Sequence, residues 1–173
     1  TATFTNNASS DTTAPGTSTV HNVLDAAFVD YANDDFRIDD TSALYGTGTD
    51  LTATFTDDIR GTATRISTSP DIGVYKFDVI TKTLKSSAGD YSTMSAWESA
   101  EQDDLVALGE RHVLECYDDW PTGLVDNVDV EGSTCDSLCN ITIKAAAGSE
   151  ATSLTTGFYM RSAAVFTVIT KTD

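Results

Sequence analysis

Short stretches in which apolar and polar residues alternate recur along this chain, and most of them end at a cluster of Gly, Asp, Ser or Asn. A period of two places the apolar side chains on one face of a β-strand and the polar ones on the other. Such runs, separated by turn-forming residues, are typical of an all-β protein. The sequence therefore predicts a mainly β fold. The clearest examples are "LTATFTDDI" at 51–59, "VYKFDV" at 74–79, "RHVLECY" at 111–117 and "NITIKAAAG" at 140–148.

One segment, "MSAWESAEQ", departs from this pattern and has helical spacing. Met94 and Trp97 lie three residues apart and so share a face, and Ser92 or Thr93 precedes them as a suitable N-cap. A helix of about ten residues is too short to be stable alone in water, so its apolar face must pack against something. We therefore predict one short α-helix over about residues 93–102, with Met94 and Trp97 buried.

The chain is strongly acidic. Its 173 residues include 10 Lys and Arg against 27 Asp and Glu, which gives a formal net charge of -17. This charge repels phosphate groups and anionic lipid surfaces, so neither nucleic acid nor a membrane is expected as a partner. Hydrophobic residues make up 40% of the chain, which is enough to bury a core and argues against disorder.

Changes in composition divide the chain into three predicted segments. Residues 1–20 are rich in Thr, Ser, Asn and Ala and predict an N-terminal arm, with an edge strand followed by a loop. Residues 21–78 predict a β-rich unit. Residues 79–173 predict a second β-rich unit that opens with the short helix.

Several phrases of the sequence resemble known proteins. "FVDYANDDFRI", "TSALYGTGTDL", "DDIRGTATR" and "PDIGVYKF" together resemble the closing segment of right-handed parallel β-helix proteins. "GDYSTMSAWESAEQDDLVA", with "ECYDDW" and "NITIKAAAG", resembles the opening segment of a β-helix domain in large structural proteins of tailed bacteriophages. The resemblance implies the end of one β-helical unit followed by the start of another, with the helix laid across the open end of the strands. A compact β-sandwich built from the same strands is the competing architecture.

Four residues supply soft metal ligands in two pairs, His112 with Cys116 and Cys135 with Cys139. Structural zinc sites favour cysteines spaced by two residues, and a straight strand separates His112 from Cys116 by about 13 Å. We therefore expect no zinc site. A local disulfide between Cys135 and Cys139, a disulfide that includes Cys116, and buried thiols remain alternatives for the cysteines.

Clustered aspartates are candidate calcium ligands, but they lack the Gly and the terminal Glu of an EF-hand, and solvated turn carboxylates are the favoured interpretation. The sequence also has no G-x-S-x-G elbow and no Gly-rich phosphate loop. We expect no metal, no cofactor and no catalytic residue. The two groups of aspartates are Asp30, Asp34, Asp35, Asp39 and Asp40, and Asp118, Asp119, Asp126 and Asp129.

Together with the acidic surface, the resemblance implies a non-enzymatic structural protein of a phage virion, such as a capsid decoration protein, a fibre or a tail component. Its expected partners are copies of itself, with a trimer as the expected state, and capsid or tail proteins. Intersubunit strand pairing is predicted at the N-terminal arm and at the C-terminal strand "AAVFTVITKT". The alternatives are a subunit of an extracellular filament and a fragment of a tailspike-like polysaccharide depolymerase. The predicted pairing residues are Phe4, Val165, Phe166, Val168 and Ile169.

Overall fold

The chain divides into two compact units in the computed structural model. Unit 1 comprises Thr1–Val79 and Val106–Glu110, and unit 2 comprises Ile80–Leu105 and Arg111–Asp173. The sequence-based division into an arm and two units at residues 20 and 78 stays a prediction. The structure describes residues 7–13, 15–17, 19–20, 22–23, 25–50, 53–54, 56–61, 69–152, 156–161 and 169–171.

The described part is mainly non-helical and contains short parallel strands, so the mainly β expectation is confirmed at this coarse level. The described residues form two α-helices, where the sequence predicts one. Two 3-10 turns, at Asp25–Ala27 and Tyr31–Asn33, precede the first strand. The elements are β1 (Asp78–Leu84), α1 (Met94–Glu101), α2 (Leu105–Leu108), β2 (Glu110–Cys116), β3 (Leu124–Val125), β4 (Val128–Val130), β5 (Ile141–Ala145), β6 (Met160–Arg161) and β7 (Ile169–Lys171).

Buried aspartates organise the loops of unit 1. The carboxylate of Asp71 accepts hydrogen bonds from the backbone N–H of Gly46 and of Phe77, both at 2.8 Å. The carboxylate of Asp58 accepts from the backbone N–H of Lys76 at 3.0 Å. Both aspartates are only 7% exposed. Carboxylates therefore satisfy backbone donors here that a sheet would otherwise satisfy.

The strand predicted at residues 74–79 begins only at Asp78. The two residues before it cannot join a ladder, because the aspartates described above hold their backbone N–H groups. Period-two alternation alone did not reveal this competition. The strand predicted at 51–59 lies partly outside the described residues, and the described residues within it belong to no named strand.

Unit 2 contains three parallel strand pairs in a repeating order. Strand β2 pairs with β5, β3 pairs with β6, and β4 pairs with β7. Three successive strands thus pair, in the same sequence order, with the next three. We call β2, β3 and β4 the first layer and β5, β6 and β7 the second layer. A β-sandwich is built from antiparallel sheets, so these pairings are not those that the sandwich alternative predicts.

Strand β1 extends the sheet on the other side of β2, giving the order β1-β2-β5. The backbone N–H of Asp78 donates to the carbonyl of Gly109 at 2.9 Å, and the N–H of Tyr117 donates to the carbonyl of Leu84 at 3.0 Å. Because the starts of both strands lie together, and so do their ends, β1 and β2 run in the same direction.

The core of unit 2 lies between helix α1 and the first layer. Leu114 and Cys116 of β2 are fully buried, and Leu124 and Val128 are 3% and 6% exposed. They pack in one cluster with the apolar side chains of α1 and Leu84. Ile141 and Ile143 of β5 and Met160 of β6 lie against this cluster but are only partly buried. Burial therefore decreases from the helix side of the stack toward the second layer.

Helix α1 lies where the sequence predicts a helix. The side chain of Thr93 caps it by accepting a hydrogen bond from the backbone N–H of Ala96 at 3.2 Å. Met94 is fully buried and Trp97 is 2% exposed. The helix of eight residues is therefore stabilised mainly by the burial of these two side chains in the core of unit 2.

Candidate interaction surface at strand β5

In strand β5, the backbone N–H and C=O groups of every second residue point toward β2. The carbonyl of Asn140, just before β5, accepts from the N–H of His112 at 2.9 Å, and the N–H of Ala146, just after it, donates to the carbonyl of Cys116 at 2.8 Å. In an extended strand the N–H and C=O of one residue point to the same edge, and successive residues alternate between edges. Every second residue between these two bonds therefore points away from β2. These residues are Ile141, Ile143 and Ala145.

We call this side of β5 the open edge. Among the described residues, β5 has β2 as its sheet neighbour on one side and no strand on the other. An unpaired edge of this kind offers three N–H and three C=O groups to another strand. The alternation in "NITIKAAAG" predicts that Ile141, Ile143 and Ala145 share one face of a strand, but it does not identify the edge, because periodicity carries no information about strand neighbours.

Apolar surface accompanies the open edge. The side chains of Ile141, Ile143, Phe158 and Met160 are partly buried and pack against the core cluster of unit 2. The ring of Phe158 also meets Trp120 edge to face, with centroids 6.0 Å apart. An added strand would therefore gain backbone hydrogen bonds and would also cover apolar side chains.

The outer edge of β1 differs, because the chain folds back to cover it. The carboxylate of Asp90 accepts from both the backbone N–H and the hydroxyl of Thr83, at 2.8 and 2.7 Å. The N–H of Tyr91 donates to the carbonyl of Thr83, and the N–H of Lys85 donates to the carbonyl of Tyr91. The backbone groups at the end of β1 thus have hydrogen-bond partners on their outer side, so a second strand cannot pair with them.

Within unit 1, the hydroxyl of Tyr45 lies near the start of β1, where the backbone N–H of Val79 favours the ionised phenol. Partial burial, followed by the nearby carboxylates of Asp78, Asp71 and Asp40, raises the pKa of Tyr45, so the phenol stays neutral at ordinary pH. Tyr45 therefore places a neutral side chain near the start of β1.

Helix α1 is attached to the first layer by hydrogen bonds as well as by its apolar face. The N–H and the hydroxyl of Ser95 both donate to the carboxylate of Asp126, each at 3.0 Å, next to β4. The carboxylate of Glu98 accepts from the backbone N–H of Glu131 at 3.2 Å, just after β4. One end of the strand stack is thereby covered, whereas no helix of the described residues lies over the second layer.

Titratable side chains meet at the last residue of α1. The carboxylate of Glu101 accepts from the hydroxyl of Tyr91 and lies 3.5 Å from Nζ of Lys82 and 3.9 Å from Nδ1 of His112. The hydrogen bond to Glu101 is the main cause that raises the pKa of Tyr91 to about 12. The group ties the end of the helix to β1 and β2.

A shallow depression beside Glu101 has no room for a water molecule. We therefore see in this arrangement an anchor for the helix. The depression is lined by Trp97, Glu98, Glu101, Gln102, Val130, Ser133 and Ile141.

The predicted metal candidates do not assemble. Among the described residues, no three His, Cys, Asp or Glu side chains come together as a metal site. Cys116, Cys135 and Cys139 are all in the thiol state, and Cys116 and Cys139 are buried. Among the candidate aspartates, the carboxylate of Asp39 accepts a hydrogen bond from the backbone N–H of Thr41 at 2.8 Å and so stabilises its own turn.

Most of the predicted pairing residues lie outside the described part of the chain, namely Phe4, Val165, Phe166 and Val168. Ile169 is described through its backbone, which lies in β7 in register with Val128 of β4. One edge of that strand is thus used within the molecule. The predicted role of these residues between subunits stays a prediction.

Neither a known protein family, nor a curated protein, nor a solved structure matches the chain. No helix in the described part of the chain is long and apolar enough to cross a bilayer. Function is therefore inferred from the residues and from the geometry around the open edge.

Proposed function

We propose that the chain is a non-enzymatic structural component of a tailed-phage virion that assembles through strand pairing. A capsid decoration protein, a fibre and a tail component are the three roles that the resemblance allows. The observation that carries the assembly role is the difference between the two ends of unit 2. Helix α1 covers one end, whereas at the other the open edge of β5 meets no strand among the described residues, and Ile141 and Ile143 of β5 are half-buried.

We further propose that unit 2 is the opening of a right-handed parallel β-helix and that unit 1 is a closing segment of another. The order of strand pairing supports this interpretation, because each strand of the first layer pairs in parallel with its counterpart in the second. From the first layer to the second, the paired register advances by 29 residues from His112 to Ile141, by 36 from Leu124 to Met160 and by 41 from Val128 to Ile169.

Several carboxylates with stabilising contacts support a non-catalytic role. Glu101 anchors helix α1, Asp58 and Asp71 satisfy backbone N–H groups, and Asp126 holds the start of the helix. Each of these side chains is occupied by a contact that stabilises the fold. The partners proposed are copies of the chain and phage capsid or tail proteins, and the location proposed is the virion.

The filament alternative is less well supported. A head-to-tail filament built through the sheet would have to pair the open edge of one copy with the outer edge of β1 in the next. Asp90 and Tyr91 occupy the end of that second edge.

Particle composition tests the virion proposal. Phage particles purified from the source lysate on a density gradient should contain the chain in a fixed ratio to the major capsid protein, as measured by mass spectrometry. Electron microscopy of the purified protein should show discrete oligomers. Absence of the chain from all particles would overturn the proposal, and long fibres would favour the filament. Release of oligosaccharide from host surface polysaccharide would overturn the non-enzymatic role.

A further inference from the structure

The structure assigns the open edge of β5 to a second copy of the same chain, joined about a two-fold axis so that the two β5 strands run antiparallel. This inference rests on the proposed function, since it names the partner of the same surface. Three observations carry it: the blocked edge of β1, the faces of β5, and the charge on β5.

Because the outer edge of β1 is covered, it limits which strand edges of two copies can pair. Pairing of β5 with a different edge of another copy is heterologous and would require an accessible strand such as β1. The outer edge of β1 is occupied at Thr83 and, just after the strand, at Lys85. A contact between two identical β5 edges needs no second surface, and it closes after two copies.

The faces of β5 select the antiparallel direction. Ile141 and Ile143 place apolar side chains on the core face of the strand, whereas Lys144 is exposed on the other face. A two-fold axis perpendicular to the sheet reverses the strand and keeps both core faces on the same side. An axis parallel to the strands would put the core face of one copy beside the polar face of the other. The antiparallel arrangement therefore joins the two half-buried apolar layers.

The charge on β5 selects the register. With Ile143 opposite its own copy, Ile141 lies opposite Ala145, and Thr142 lies opposite Lys144. Lys144 is the charged residue of β5, and its Nζ lies 3.1 Å from the carboxylate of Glu115. Centring the pair on Lys144 would place two like charges directly opposite each other, which is unfavourable. The register centred on Ile143 avoids this repulsion and uses all three outward-pointing residues.

Sedimentation equilibrium of the full chain tests the number of copies. We expect a saturating transition to twice the chain mass of 18.4 kDa, without larger species. Because each copy carries a formal charge of -17, the dimer should tighten as salt is raised from 0.05 to about 0.5 M, where the Debye length falls to a few ångströms.

Cysteine crosslinking tests the symmetry. In a Cys135→Ser background, Ile143→Cys should give a disulfide-linked dimer on mild oxidation, because only a two-fold axis at this position brings residue 143 next to itself. Thr81→Cys in the same background is the matched control, since it lies on β1, and it should remain uncrosslinked. Ala145→Pro removes an outward N–H without touching the bonds to β2, so it should yield a folded monomer by circular dichroism.

The outcomes separate this inference from the proposed function. A trimer, or any oligomer that does not crosslink through residue 143, would overturn the two-fold inference and leave the virion role standing. A dimer that persists in Ala145→Pro would also overturn it. A chain that is monomeric at every concentration and is also absent from phage particles would overturn both.

Discussion

The hydroxyl of Tyr91 donates a hydrogen bond to the carboxylate of Glu101, so the residue that ends helix α1 is tied to the segment that protects the edge of β1. Tyr91 also pairs through its backbone with Thr83 and Lys85. A single residue thus takes part in covering the strand edge and in holding the helix over the core. Both features keep one end of the stack closed.

This contact predicts a loss of stability at high pH. The pKa of Tyr91 is raised from 10.0 to about 12, so its contribution is complete below pH 10 and is lost as the pH rises through about 12. Tyr91→Phe should therefore flatten the fall in the free energy of unfolding between pH 10 and 12. Urea denaturation at several pH values measures this free energy of unfolding, and Tyr159→Phe is the control. An identical alkaline slope in both variants would contradict the assignment.

The apolar face of α1 predicts a large effect of truncation. Trp97 is 2% exposed and Met94 is fully buried, so Trp97→Ala should cost about 3 to 5 kcal/mol of unfolding free energy and Met94→Ala about 2 to 5 kcal/mol. Ser99→Ala, on the exposed face of the same helix, should change it by less than about 0.5 kcal/mol. Equal effects of all three substitutions in chemical denaturation would show that the helix does not cover the core.

The carboxylate of Asp58 predicts acid sensitivity in unit 1. Its side chain is fully buried and accepts from Nε of Arg60 at 2.7 Å and from the N–H of Lys76 at 3.0 Å. Burial opposes ionisation, but the hydrogen bonds from Arg60 and Lys76 outweigh it and lower the pKa of Asp58. The stabilisation is therefore present above about pH 4 and is lost as the pH falls through the lowered pKa.

Asp58→Asn should remove part of this acid dependence and leave Arg60 without its charged partner, at a cost of roughly 3 to 5 kcal/mol. Thermal unfolding at pH 7 and at pH 3, followed by circular dichroism, measures both effects. Asp57→Asn, at the neighbouring exposed position, is the control. A wild-type-like melting curve for Asp58→Asn at pH 7 would rule out the buried ion pair.

The hydrogen bond from the N–H of Thr83 to Asp90 predicts a local change in amide hydrogen exchange when it is removed. Asp90→Ala removes the carboxylate that accepts from the N–H of Thr83, so that amide should exchange roughly tenfold faster. Exchange at Leu84, whose N–H lies on the side of β2, should change much less. Amide exchange followed by NMR resolves the two sites. Unchanged exchange at Thr83 would mean that its N–H has another acceptor.

Burial predicts which cysteine reacts. Desolvation raises the pKa of the Cys116 thiol to about 12, and Cys139 is also buried, whereas Cys135 is exposed. Titration of the native protein with a thiol reagent at pH 8 should therefore modify one thiol per chain rapidly, and denaturant should release the other two. Cys135→Ser should abolish the rapid phase. A rapid reaction of two thiols would contradict the burial of Cys139.

Much of the secondary structure of unit 2 could be predicted from local sequence patterns. The helix was predicted over 93–102 and spans Met94–Glu101, because an N-cap and two apolar residues three apart are local signals. The strand at Ile141–Ala145 was likewise recognisable by its alternation. Unit 1 was less accessible, because Asp58 and Asp71 take backbone donors from residues far along the chain, and no local pattern encodes those contacts.

The sequence by itself determined which residues of a strand share a face, where the short helix lies, and that the surface repels anions, since side-chain alternation, capping and charge are local properties. Only the tertiary structure decided which strand edges are covered. Backbone N–H and C=O groups are the same in every residue, so their pairing depends on which segments the fold brings together. Asp90 and Tyr91 fold back onto β1, whereas the outer side of β5 faces no described strand.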